Sequence, residues 1–251
     1  MPGAVPAIAL VHNPGSEHQV HTADRLLRGR WPVGTQMVAQ DGRVYRYVRN
    51  GGATLTAGRL LQSSATTANH ILQTPAAAAA AGATSVSITL GATAVTADDY
   101  MDGYLTTNLG TGFGYTYGVK THAADAGGGT FVAPLTDGYS VITAIPTTAN
   151  SVSLVRNPYR AVIEVPVTTI TGTLVGVALR ALTTGQWGFI QTRGYATVYG
   201  SGSLVLGDTV GNISVAGAVE PLTGVAGEAA AGLVQLVATS TNYSVIFLQL
   251  D

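Results

Sequence analysis

The 251-residue chain contains no cysteine, which excludes disulfides, thiol catalysis and Cys-ligated zinc or iron–sulfur centres in one step. Charge is nearly as scarce. Only 10% of the residues are Asp, Glu, Lys or Arg, against roughly 25% in an ordinary soluble domain. Twelve basic and 13 acidic residues leave a formal net charge of −1, so the chain lacks the basic footprint with which a protein displaces counterions from nucleic acid. Long apolar runs are missing as well. The longest, Ala76–Ala81, falls far short of the roughly 18 residues a membrane-crossing helix needs. No basic residue precedes the apolar stretches of Met1–Val11, so this segment does not read as a secretory signal.

Hydrophobic residues, by contrast, make up 46% of the chain, and there are 32 glycines. Disordered chains show the opposite balance, poor in apolar residues and rich in charge. A folded chain of this size buries roughly 70% of the surface it exposes when unfolded. The remainder, so short of charge, would be poorly solvated if all of it faced water. Coverage by copies of itself or by a partner is therefore expected.

Three zones are expected along the chain. Residues 1–30 carry Pro2, Pro6 and Pro14 and no sustained period, and read as an extended N-terminal arm. Within it Arg25–Arg28 reads as one helical turn, capped by Thr22 or Asp24 and stopped by Gly29. Residues 31–150 show period two. Val44, Arg46 and Val48 alternate with Tyr45, Tyr47 and Arg49, Val86, Ile88 and Leu90 with serines and threonine, and Tyr115, Tyr117 and Val119 continue the pattern. Asn50–Gly51–Gly52, Asp102–Gly103, Gly127–Gly129 and Asp137–Gly138 mark turns between them. Thr74–Gly82 reads as a short helix or a loop at a domain edge, since alanine favours helix but no apolar face accompanies it.

Residues 151–251 read as a second β-rich domain, sandwich or barrel. Its strands are expected at Ala161–Val165, Leu174–Leu179, Gly188–Arg193, Tyr195–Tyr199, Leu204–Leu206, Leu233–Val237 and Ser244–Leu248. No long helical period interrupts them, which excludes parallel βαβ units. The fold class is thus all-β, a two-lobed sandwich or barrel-like structure. Leu55–Leu60 and Leu204–Val210 echo each other, each with Gly at a corner, but two instances make no repeat architecture.

Residues with chemical potential fall into weak patterns. His12, His18 and His21 with Glu17 cluster in the arm, where Pro14–Gly15 denies them the helix that would converge them on a metal. Asp98, Asp99 and Asp102 lack the ligand spacing of a calcium loop and read as a turn. Gly110–Thr111–Gly112–Phe113–Gly114 is followed by strand alternation, so it is no phosphate loop. There is no G-x-S-x-G elbow, His70 and His122 have no adjacent Ser or carboxylate in sequence, and Asp125, Asp137, Glu164 and Asp208 offer only the carboxylates any chain has. No catalytic residue, cofactor site or metal site is expected. Tyr45, Tyr47, Tyr100, Tyr104, Tyr115, Tyr117 and Tyr139 suit either sheet packing or an interface.

Three stretches together carry a resemblance: Asp41–Val48 followed by Thr56–Ala57–Gly58; Asn157–Pro158–Tyr159 leading to Ala161–Ile163; and Val175–Ala178 with Gly185–Ala196. With the Gly207–Asp208 corner, this set resembles the capsid decoration, or cement, proteins of tailed bacteriophages over residues 31–251. The resemblance implies a structural virion protein without catalytic residues. Such a protein sits on the outer capsid surface and bridges neighbouring subunits of the major capsid protein. A homotrimer is expected, because decoration proteins of this kind commonly occupy three-fold axes and because strand edges here have almost no Lys to guard them. The arm then docks on the shell, with Arg25, Arg28 and Arg30 pairing to its acidic groups, as guanidinium forks bind carboxylates bidentately. Neither nucleic acid nor membrane is expected as a partner. Two other classes stand beside this one: a trimeric tail- or fibre-associated adhesin that binds host surface glycans, and a hydrolase of unrecognised type.

Overall fold

The computed structural model describes residues 10–11, 31–167, 169–212, 214–238 and 242–251. The expected arm, with Arg25, Arg28, Arg30 and the histidine cluster, otherwise lies outside the described residues. The fold is nearly all β, 42% strand and 1% helix, the helical part being a 3-10 turn at Ala68–His70. No helix among the described residues is long and apolar enough to cross a membrane.

The strands are, in chain order, β1 (Leu10–Val11), β2 (Gln36–Val38), β3 (Val44–Arg49) and β4 (Leu60–Gln62), then β5 (Ser85–Thr89), β6 (Tyr104–Leu109), β7 (Thr116–Gly118), β8 (Thr130–Pro134) and β9 (Ser151–Val155). They continue with β10 (Ile163–Glu164), β11 (Leu174–Ala178), β12 (Trp187–Tyr199), β13 (Thr209–Asn212), β14 (Glu220–Pro221), β15 (Ala229–Leu236) and β16 (Tyr243–Gln249). Two compact units result. One joins the chain up to Ser64 to Ala161–Asp251; the other is Ala65–Arg160.

The first unit is a single 11-stranded sheet in the order β1-β2-β3-β12-β16-β15-β13-β14, with β4, β10 and β11 attached to one side of this path. It curls into a half-barrel. Its organising element is β12, 13 residues long. Trp187–Arg193 pair antiparallel with β3, Ile190 and Gln191 with β11, and Arg193–Tyr199 with β16. The ladder with β3 shifts register between Gln191 and Arg193, a bulge of the kind that bends a strand and increases its twist. Side-chain chemistry follows the bend. Before it, Trp187–Thr192 are all buried, and Trp187 and Phe189 join Tyr47 and Trp31 in an aromatic cluster with centroids 5.2–5.8 Å apart. After it, Ala196 and Val198 point into the core of Leu60, Val177, Val210, Val234 and Ile246, while Arg193, Tyr195 and Thr197 are exposed.

The second unit has two small antiparallel sheets, β5-β8 and β7-β6-β9. Each strand buries alternate residues: Val86 and Ile88, Phe131 and Ala133, Leu105, Tyr117, Val152 and Leu154 all enter one core. This is the sandwich solution for short strands with one apolar face each.

Several local expectations change. The unit boundary is not at residue 150: residues 31–64 join the C-terminal strands, because β3 finds its partner some 140 positions downstream in β12. Gly188–Arg193 and Tyr195–Tyr199 are one strand, not two. Leu204–Leu206 is not a strand; a turn there leads into β13 at Thr209. Thr74–Gly82 is extended and irregular, with bridges from Pro75 to Ile88 and from Ala79 to Ile145.

The C-terminal residue is tied to β3. Asp251 accepts two hydrogen bonds from Arg46, from Nε and Nη2, both 2.7 Å, and a third from Thr192 Oγ1 at 3.1 Å. These bonds, with Arg46 foremost, hold the Asp251 carboxyl below its ordinary value despite partial burial. A depressed native pKa contributes stability above the unfolded carboxylate value, near 3.9, and that contribution is lost as pH falls through the native value. Asp251→Asn is therefore expected to cost about 1 kcal/mol at pH 7, allowing for solvent screening. The difference from the unsubstituted chain should shrink toward zero as pH falls through the native value. Urea unfolding across this range measures it, and a pH-independent difference would contradict the assignment.

Candidate functional site

The acidic cluster and both described histidines of the second unit are consumed by structure. Asp98 Oδ1 accepts the His122 N–H at 3.0 Å, and Asp99 accepts two hydrogen bonds from Arg156, at 2.9 and 2.6 Å. Asp102 lies 4.0 Å from Arg160. His70 is fully buried, its Nδ1 2.5 Å from Tyr100 Oη and its Nε2 2.8 Å from the Thr93 carbonyl. A carbonyl can only accept, so Nε2 carries the proton and Nδ1 receives the tyrosine hydroxyl. His122 has the opposite tautomer: Nε2 accepts the Tyr100 N–H at 2.9 Å and Nδ1 donates to the Ala123 carbonyl at 2.8 Å. Burial pushes the Tyr100 phenol up to about 12, the charge of Asp99 adding to the rise and that of Arg156 opposing it. The expected turn at Asp98–Asp102 is thus present, braced from all sides.

The remaining carboxylates are dispersed. Asp125 accepts a turn N–H from Gly127, Asp137 pairs with Lys120 at 2.7 Å, Glu164 accepts the Thr56 N–H, and Asp208 sits in a turn. Among the described residues no three His, Asp or Glu side chains converge on a metal position. The tyrosines divide: Tyr45, Tyr47, Tyr100 and Tyr117 are buried, whereas Tyr104, Tyr115 and Tyr139 are exposed.

What stands out in the second unit is apolar surface held in fixed loops. The Gly-rich stretch connects β6 to β7 as a tight turn, closed by Phe113 N–H to the Gly110 carbonyl at 3.2 Å and Gly114 N–H to the Thr107 carbonyl at 2.9 Å. Asn150, buried, clasps its base: Oδ1 accepts the Thr111 N–H at 3.2 Å and Nδ2 donates to the Thr111 carbonyl at 2.8 Å. The loop around Ile142 runs alongside. A β-carbon on Gly112 would lie 3.2 Å from the Thr143 carbonyl, and Tyr117 Oη accepts the Ile142 N–H at 3.2 Å. The end of β6 and these two loops leave Leu109, Phe113 and Ile142 at 62%, 73% and 61% exposure, with Tyr115 at 36%. Large apolar side chains left exposed on neighbouring, braced loops are what an interaction surface requires. In the sequence this loop reads only as a turn; the available sign was a lone Phe among glycines, where chain reversal needs no aromatic.

In the first unit an open groove of ≈ 940 Å³ lies among β2, β3, β12 and β16. Gln36, Asp41, Arg43, Arg193, Tyr195 and Phe247 line it. Asp41 is paired with Arg43 through Nε at 2.5 Å. No sequence pattern brings these residues together, since they come from β2, β12, β16 and the turn between β2 and β3.

Removing the Asn150 clasp by substitution with Ala is expected to strip Thr111 of both backbone partners. It should cost about 1–2 kcal/mol and speed amide exchange at residues 110–114, read by hydrogen-exchange mass spectrometry. Unchanged exchange there would show that the loop holds its shape without Asn150.

Compared with protein-family models, with curated proteins and with solved structures, the chain matches none.

Proposed function

We propose that this chain is a structural virion protein that decorates the outer surface of a tailed-phage capsid and stabilises it, without catalysis, by bridging neighbouring subunits of the major capsid protein. The observation that carries this reading is the braced pair of apolar loop tips, Leu109–Tyr115 and Ile142, on a chain with few charges. Such tips lose little conformational entropy on docking because Asn150 and the turn bonds already hold them. Phe113 and Ile142 then serve as anchors in apolar recesses of the shell. Arg25, Arg28 and Arg30 of the N-terminal segment add pairing to shell carboxylates.

As a homotrimer the protein presents three such tips at once, so each engaged contact raises the effective concentration of the next. Binding to the assembled lattice, and not to separated subunits, favours the intact shell by RT ln(1 + [L]/Kd), about 2.7 kcal/mol per site at a hundredfold excess over Kd. Summed over many sites, this raises the temperature at which the shell yields to its packed genome.

The test heats particles with and without the protein while a dye reports DNA release, occupancy being verified by gel. Saturated particles are expected to release DNA at a higher temperature. Phe113→Asp and Ile142→Asp should lower occupancy by tenfold or more, each a loss of about 1.4 kcal/mol or more, without lowering the melting temperature of the free protein. Equal release temperatures at verified occupancy would reject the cementing role and make the adhesin reading the leading one.

A further inference from the structure

The groove of the first unit takes no part in the docking argued above. A smaller hollow of ≈ 420 Å³ shares Arg43 and Tyr195 with it and extends past Thr197 and Tyr243. Through these shared residues the two form one continuous open hollow among the described residues.

This hollow is rich in donors and short of acceptors. Its lining has two guanidinium groups and one carboxylate, Asp41, already bound by Arg43. Arg193 is exposed, and while its carbonyl accepts from Gln191 Nε2, its guanidinium makes no hydrogen bond or ion pair among the described residues. Its charge reaches Asp251, but both Asp251 oxygens are held by Arg46 and Thr192. The groove thus has a guanidinium fork available for an incoming anion, and a planar fork selects a planar carboxylate.

Tyr195 stands two residues further along β12 and is 59% exposed. Phe247 supports it edge-to-face, with centroids 5.4 Å apart and planes at 80°. A ring held upright on a sheet offers a flat apolar platform with a polar rim. Gln36, at the far side, adds an amide that both donates and accepts.

An aromatic platform beside an unused guanidinium, with an amide for hydroxyl groups, matches a sugar ring that carries a carboxylate. The C–H face of the pyranose lies on Tyr195, and its carboxylate meets Arg193. We propose that this groove binds a uronate-bearing polysaccharide, an activity that stands apart from capsid decoration. A neutral glycan would leave Arg193 unused. Peptides commonly take their affinity from anchors sunk in desolvated pockets, whereas here the aromatic ring projects.

The experiment is isothermal titration of the full-length protein with oligogalacturonate and oligoguluronate, with a neutral malto-oligosaccharide and oligoglutamate as comparators. A uronate oligomer is expected to bind with Kd near or below about 1 mM, and each comparator at least about tenfold more weakly. Arg193→Ala and Tyr195→Ala should each weaken uronate binding by about tenfold or more, Tyr195→Phe should retain it, and added salt should weaken it. Arg193 is exposed, so its variant tests the site without burdening the fold. Three results would overturn the proposal: no uronate binding at 10-fold the stated concentration, binding indifferent to Arg193→Ala, or oligoglutamate binding as tightly as uronate. The last would assign the groove to an acidic peptide. None of these outcomes bears on DNA release from decorated particles.

Discussion

One strand has to satisfy three partners, and the first unit depends on how it does so. The 13 residues of β12 meet β3 along their first half, β16 along their second, and β11 beside the bend between. Because side chains alternate along a strand, a slip of one residue would turn every core side chain outward. The bulge between Gln191 and Arg193 reconciles the two halves. The Trp187 half can be buried on both faces while the Tyr195 half keeps one face to solvent. The exposure of Arg193 and Tyr195, and hence the groove, follows from this change of environment at the bend.

Scarcity of charge shapes the surface as strongly as pairing shapes the core. Where ionisable groups occur in the second unit they are mostly spent internally, as in Asp98 with His122 and Asp99 with Arg156. What reaches solvent on the loop tips is instead aliphatic and aromatic. Exposed apolar side chains taken singly are ordinary, but Leu109 ends β6, Phe113 and Ile142 follow on neighbouring loops, and each loop backbone is held by a side chain, Thr111 by Asn150 and Ile142 by Tyr117. Rigid support for an apolar tip has a use when something packs on it, and this links the fold to the proposed attachment.

Much of the fold was legible in the sequence, because period-two alternation and Gly-marked turns are local signals. Val86 and Ile88 of β5 sit where their alternation places them, and the strands at Leu174 and Ser244 are close to their expected limits, whereas β3 buries Val44 and Val48 on one face as well as Tyr45 and Tyr47 on the other. Pairing over long separations was not legible. Nothing in Val44–Arg49 says that its partner is Trp187–Arg193, so the excursion of Ala65–Arg160 between them was hidden and the boundary was drawn elsewhere. Leu204–Leu206 misled for a different reason: three apolar residues look like a short strand, but the Gly207–Asp208 turn claims them. The candidate sites were less legible still. Arg193 and Asp41 line one groove only because β12 lies beside β3, and the loop carrying Phe113 resembles any glycine-rich turn until the neighbouring loop is placed.

The central claim is that the braced apolar tips are the surface by which this protein seats on an assembled shell. The most direct measurement compares amide exchange of the protein free in solution and bound to particles, peptide by peptide. Segments 109–115 and 139–145 are expected to slow by about tenfold or more on binding, the scale of a 1.4 kcal/mol loss in local opening. Exchange that is unchanged in both segments at saturating occupancy, with protection elsewhere, would contradict it.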